Sequence, residues 1–135
     1  MIASNVLNGA VYEAEFQAEA LRRGFVPHLP VVPMSWDFLV TCPSGILKVQ
    51  VKGTSQLSSE PNDYSYKIMT SRGAGKKYSI REEGDVVACW GDPRRLWYLI
   101  PQSKLKAKCI RLYADATKTR SKYQKYKEDW ALFYN

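Results

Sequence analysis

Trp36-Asp37-Phe38-Leu39-Val40-Thr41, the turn Cys42-Pro43-Ser44-Gly45 and then Ile46-Leu47-Lys48-Val49-Gln50-Val51-Lys52-Gly53 form the stretch whose reading decides the fold. Pro43 and Gly45 stand at turn positions between two runs rich in β-formers, so the stretch reads as an antiparallel hairpin over residues 36–41 and 46–53 with a four-residue turn. With that turn Thr41 pairs with Ile46, and each step back adds a pair until Asp37 stands opposite Gln50. Cross-strand partners share a face with Cβ atoms about 5 Å apart, and the alternation of strand side chains puts Lys52 on the same face as Gln50. Phe38, Val40, Leu47, Val49 and Val51 take the other face. An apolar side that packs inward and an acid, an amide and a lysine converging on the opposite side make a donor set suited to a cation and a phosphate.

The surrounding chain has 135 residues, 45% hydrophobic and 24% charged. These values predict one domain over residues 1–135 with a core of its own. No apolar run approaches the roughly 18 residues that a membrane span needs, so no membrane partner is expected. Residues 1–9 lack the basic and then apolar order of a secretory signal, which predicts a cytoplasmic protein. Cys42, Cys89 and Cys109 are too few and too widely spaced for a disulfide framework or a zinc pattern and read as buried or partly buried thiols. The single histidine, His28, lies in a proline-flanked segment and excludes zinc clusters and most histidine-based triads.

The net charge is +7, which favours polyanionic partners. It is also uneven. Residues 1–37 carry four acids against two arginines, whereas residues 104–127 carry nine Lys or Arg against Asp115 alone. An acidic half beside a basic half is the pattern that a metal-dependent nuclease needs.

Leu7, Ala10, Val11, Ala14, Ala18 and Leu21 recur at helical spacing, and Gly24 follows Arg22 and Arg23 as a helix stop, so a helix is expected over residues 4–23 with that stripe as its buried face. Glu13 falls at one margin of the stripe, beside the sheet that the helix covers; Glu15 lies on the other margin and Glu19 further toward solvent. Residues 25–33 read as a connection and 54–63 as a loop. Residues 64–70 read as a third strand and 71–77 as a flexible basic segment. Residues 86–90 and 96–100 form a second strand pair around the turn 91–95, and residues 109–113 a short edge strand. Tyr123, Tyr126, Trp130 and Phe133 repeat at helical spacing and predict a final helix over residues 117–133.

Phosphodiester hydrolysis needs a divalent cation to neutralise the phosphate and acidify the attacking water, and hard cations take oxygen ligands. Glu13 and Asp37 are the carboxylates, Gln50 adds a neutral carbonyl, and Lys52 can orient or deprotonate the water or stabilise charge on the phosphate. Taken singly each has an ordinary structural explanation. The order helix, strand, turn and strand with all four in place is less easily explained so.

The runs Gly9-Ala10-Val11-Tyr12-Glu13, Ala18-Glu19-Ala20-Leu21-Arg22-Arg23-Gly24-Phe25, Trp36-Asp37-Phe38-Leu39-Val40 and Val49-Gln50-Val51-Lys52 resemble the PD-(D/E)XK nuclease superfamily. They are most similar to the branch of intron-associated homing endonucleases with restriction-endonuclease-like fold, and more distantly to archaeal Holliday-junction resolvases. The motif-bearing resemblance covers residues 9–53 and continues more weakly through Tyr98-Leu99-Ile100-Pro101. It implies an α/β fold, a mixed β-sheet flanked by helices, and Mg²⁺-dependent endonucleolytic cleavage of double-stranded or branched DNA, with Mn²⁺ as a substitute. Glu13 matches the helix-one glutamate, Asp37 the metal-binding aspartate, Gln50 the second acidic position and Lys52 the catalytic lysine. Glu13, Asp37 and Gln50 are thereby the implied metal ligands.

Two positions depart from the family pattern. Trp36 stands where the family name has a proline, a common absence in such enzymes. Gln50 replaces an Asp or Glu, which removes one negative charge from the cation site, and the intron-associated branch accepts Gln there.

Arg72, Lys76 and Lys77, with Lys118, Arg120 and Lys122, are the candidate DNA contacts. Gly73-Ala74-Gly75-Lys76-Lys77 lacks the spacing of a nucleotide-binding loop, which excludes nucleotide hydrolysis. A single small domain carries one active site, so cutting both strands calls for a homodimer or homotetramer, nucleoid-associated when on DNA. Sequence-specific homing-type cleavage, structure-specific junction resolution and non-catalytic DNA binding remain as alternatives.

Overall fold

The computed structural model describes residues 2–58, 65–69, 71–72, 78–79, 84–105, 109–114 and 122–135. Its hairpin forms with the expected register: β2 (Phe38–Cys42) and β3 (Gly45–Thr54) pair antiparallel through Thr41↔Ile46, Val40↔Leu47, Leu39↔Lys48 and Phe38↔Val49. Pairing runs one step further into the turn than expected, to Cys42↔Gly45. Gly45 takes φ +125°, a backbone conformation that favours glycine, and this closes the tighter turn.

The expected connection after the first helix contains a three-residue strand, β1 (Val26–His28), paired antiparallel with β2. His28 is therefore a strand residue, its Nε2 3.0 Å from Thr41 Oγ1 on the neighbouring strand. On the far side of β3, β8 (Val86–Gly91) runs parallel and β9 (Leu96–Pro101) returns antiparallel, giving a five-stranded mixed sheet of order β1-β2-β3-β8-β9. Every residue of β8 is buried, as a strand covered on both faces requires.

A second sheet covers one of those faces. β4 (Leu57–Ser58), a strand in the expected loop, β5 (Ser65–Met69) and the edge strand β10 (Cys109–Tyr113) form three strands in the order β10-β5-β4. A two-residue ribbon, β6 (Ser71–Arg72) with β7 (Tyr78–Ser79), stands apart. The opposite face of the main sheet is covered by α1 (Ser4–Arg22) and the C-terminal α2 (Ala131–Tyr134). Two cores result. Tyr12, Phe16 and Ala20 of α1 meet Phe38, Val40, Val49, Val51, Trp130 and Phe133, while Val87, Cys89, Tyr98 and Ile100 meet Tyr66, Ile68, Ile110 and Leu112.

Two expectations are corrected. The stripe predicted as the buried face of α1 is its solvent face: Leu7 and Val11 are each 51% exposed, Leu21 is 60% exposed, and Ala10 and Ala14 are exposed. Tyr12, Phe16 and Ala20, at i, i+4 and i+8, are buried in its place, because two aromatic rings bury more apolar area than alanines. The final helix over residues 117–133 is likewise not formed: the described residues of that span hold a 3₁₀ turn at Gln124–Tyr126 and the start of the four-residue α2.

Between them the chain runs along β9. Lys127 bridges to Tyr98, the Glu128 N–H donates to the Trp97 carbonyl at 2.7 Å, and Glu128 Oε2 accepts the Trp97 N–H at 2.7 Å. The open edge of β9 thus takes the backbone that a helix would have used. Tyr123 and Tyr126 enter the second core, and Trp130 and Phe133 the first, so their helical spacing is incidental. Among the described residues no helix is long and apolar enough to cross a membrane.

Candidate active site

β2 begins at Phe38 while its partner β3 runs past Val49 to Thr54, so the β3 backbone beyond Val49 loses its β2 neighbour. Asp37 fills that gap. Its N–H donates to the Val49 carbonyl at 2.9 Å, and its Oδ2 accepts the Val51 N–H at 2.7 Å. A carboxylate bonded to the strand's own amide lies close to the plane of the sheet, where groups from either face can reach it.

Charges do approach from two elements. The Asp37 carboxyl is pushed above the ordinary carboxylate range by burial, against the opposing pull of the Val51 hydrogen bond and the Lys52 charge. The Glu13 carboxyl on α1 is also pushed up, first by burial and then by the negative charge of Asp37. Asp37 is therefore the group that interacts both with Glu13 on the helix and with Lys52 on the neighbouring strand. Gln50 is half-buried and faces away from the buried Val49 and Val51. The expected Asp37–Gln50 pair is not formed: pairing ends at Phe38↔Val49, and the Asp37 N–H goes to the Val49 carbonyl instead.

Two neighbours hold this arrangement. A Cβ on Gly53 would fall 2.5 Å from the Tyr12 ring, so the missing side chain lets α1 settle onto β3 and brings Glu13, the residue after Tyr12, down to the hairpin. Cys89 is the strand partner of Lys52 and wholly buried; burial pushes its thiol up to about 12, partly countered by Lys52. A thiol so raised supplies no thiolate at neutral pH, which excludes it as a nucleophile. Sequence reading missed Tyr12 and Gly53, although a glycine in a run of β-formers was the available signal.

Among the described residues no three of His, Cys, Asp and Glu come together. The two carboxylates that do interact are Glu13 and Asp37. Their donors are hard oxygens, and both carboxylates resist ionisation where they stand, so a divalent cation fits the chemistry of this set.

The expected DNA contacts fare differently. The backbone of Arg72 lies in β6, whereas Lys76, Lys77, Lys118 and Arg120 lie outside the described residues. Lys122 is exposed, with its ammonium 5.4 Å from the ring centre of Tyr123 on the second core.

No protein-family model and no curated protein matches the sequence. Among solved structures, the bacterial homing endonuclease I-Ssp6803I is similar, with a TM-score of 0.76 and 23% identity over 98% of this chain and 93% of that chain. At that identity the likeness is one of fold, and the chain shares its mixed α/β architecture with a bacterial homing endonuclease.

Proposed function

We propose that this protein is a metal-dependent DNA endonuclease of the PD-(D/E)XK type, acting as one domain over residues 1–135 and cutting at specific sequences as a homing-type enzyme. The observation that carries the reading is the pair of half-buried carboxylates, Glu13 and Asp37, beside Lys52 where β2 leaves β3. Likeness of fold to a bacterial homing endonuclease supports it. Glu13, Asp37 and Gln50 would hold Mg²⁺, with Mn²⁺ as a substitute, through the oxygens that Val51 does not occupy. A cation bound there neutralises the phosphate and acidifies the attacking water.

The protein's own groups do the rest. Asp37 is fixed by its bond to Val51, so its second oxygen meets a ligand without reorganisation. Lys52, whose positive charge already acts on Asp37, orients the water and stabilises charge that develops on the phosphoryl oxygens. One site per chain cuts one strand, so duplex cleavage requires a homodimer or homotetramer, working on nucleoid DNA in the cytoplasm.

Gln50 favours a second reading, a DNA-binding protein without catalysis, because it leaves the cation one negative charge fewer. Linear duplex, plasmid and four-way junction DNA, each incubated with Mg²⁺ or EDTA, separate the alternatives. Cutting that requires Mg²⁺ and falls at least about 100-fold in Asp37→Ala and Lys52→Ala is the expected outcome. Incision confined to the junction would make the protein a resolvase, and tight binding with no cleavage of any substrate would remove the enzyme.

A further inference from the structure

β3 does not end at Lys52. Thr54 follows on the same face as Gln50 and Lys52, about 7 Å further along the strand. There it lines a pocket of about 430 Å³ together with Gln56, Leu57, Ser65, Lys67 and Arg111. Among the described residues of the lining, Lys67 and Arg111 are the cations. Lys67 and Arg111 are direct cross-strand partners on β5 and β10, and they share the outer face of the second sheet because Tyr66, Ile68, Ile110 and Leu112 point into the core.

The rest of the pocket is built to present them. Ser65 is 1% exposed, and its Oγ accepts a hydrogen bond from Arg111 Nη1 at 3.0 Å, which fixes the guanidinium over the pocket. Thr54 Oγ1 accepts the Gln56 N–H at 3.2 Å and its carbonyl accepts the Asp92 N–H at 3.0 Å, so the floor is also held. A fixed guanidinium, an exposed ammonium and hydroxyl groups are the chemistry that binds a phosphodiester.

We propose that Lys67, Arg111 and Thr54, with Ser65 holding Arg111 in place, form a backbone-phosphate subsite for DNA, next along β3 from the catalytic cluster. This rests on the nuclease reading. The subsite holds a phosphate neighbouring the one to be cut, and so sets the register of the strand against Asp37 and Lys52. It reads no bases, and its contribution is independent of sequence and dependent on salt.

The test is binding of a short fluorescein-labelled duplex of arbitrary sequence, in EDTA, followed by anisotropy across a salt series, with plasmid cleavage in Mg²⁺ measured in parallel. Lys67→Gln and Arg111→Gln should each weaken binding several-fold and lower the slope of log K against log salt by about 1. Lys67→Glu should weaken it further. Lys67 is exposed, so its variants should keep the wild-type melting temperature, and they carry the test if Arg111→Gln unfolds. Unchanged affinity and slope in the Lys67 variants, with wild-type DNA still bound and cut, overturns the subsite alone. Altered slopes in a protein that cuts nothing keep the subsite and sink the nuclease. A wild-type protein that binds no duplex overturns both.

Discussion

Asp37 is a strand-capping group and a candidate metal ligand at once, and the two roles pull on its proton in opposite directions. Its bond to the Val51 amide favours the carboxylate, while burial favours the acid, and burial wins. Glu13 is raised in the same sense by burial and by Asp37, so both folded-state values lie above the ordinary values of 3.8 and 4.5. For an acid raised by folding, the native state binds more protons than the unfolded chain, and the associated stability is complete below the ordinary value and lost as the pH climbs through the raised one. At neutral pH the ionised pair is thus a cost. Asp37→Asn keeps an oxygen for the Val51 N–H and removes the charge, so its melting temperature should exceed that of the wild type at neutral pH. The gap should close as the pH falls below about 4, the ordinary range of both groups. Thermal melts across pH in EDTA check this, and a variant that melts lower at neutral pH would show that the carboxylate is not under strain. The register from Thr41↔Ile46 to Phe38↔Val49 was legible in the sequence, because counting back from a turn fixes the pairs, and alternation along β3 sets Gln50 and Lys52 on one face. The bond from Asp37 to Val51 was not, since it exists only because β2 starts at Phe38, two residues later than expected.

Elements that pair or alternate were read from the sequence with their ends nearly in place, whereas both helical faces were misread. β10 matches its expected span at Cys109–Tyr113, and β8 and β9 each run one residue beyond theirs. Strand spacing counts against one partner. Helical spacing gives a stripe without saying which stripe meets the core, and on α1 the aromatic Tyr12 and Phe16 outcompeted the more regular series of Leu, Val and Ala. Near the C-terminus, spacing alone suggested a helix where the open edge of β9 recruited Lys127 and Glu128. Of the second sheet only β5 and β10 were legible, and as separate strands, because nothing local marks which strands leave the main sheet, while β4 fell in the expected loop. The contact that most directly joins helix to site is Tyr12 on Gly53. Gly53→Ala must displace the ring or lift α1, which should cost about 1–3 kcal/mol. Glu13 rides on the same turn, so cleavage at a temperature where the variant stays folded should fall as well. Chemical denaturation and plasmid cleavage measure the two effects, and full activity in a destabilised variant would separate Glu13 from the site.

At the scale of the whole molecule, the solvent face of α1 is the feature that the isolated chain leaves unexplained. Leu7, Val11, Ala14, Ala18 and Leu21 are spaced 4, 3, 4 and 3 residues apart, the interval of a helix–helix seam. Leu7, Val11 and Leu21 are each at least half exposed along it, and the first charged residue of the chain is Glu13. An exposed apolar stripe of this kind suits a contact surface, and small residues at its centre would let a second helix approach closely. A second copy of this chain is the occupant that the proposed chemistry calls for, because one carboxylate cluster cuts one strand and a symmetric pair cuts two. Leu7→Asp combined with Val11→Asp changes exposed positions and should alter the stability of one chain by no more than about 0.5 kcal/mol. By light scattering the wild type should have the mass of two or more chains and the double variant that of one. On plasmid DNA in Mg²⁺ the variant should then give nicked circles where the wild type gives linear product. A wild type that is monomeric on and off DNA, yet linearises plasmid in a single binding event, would rule out both the seam and the need for a partner.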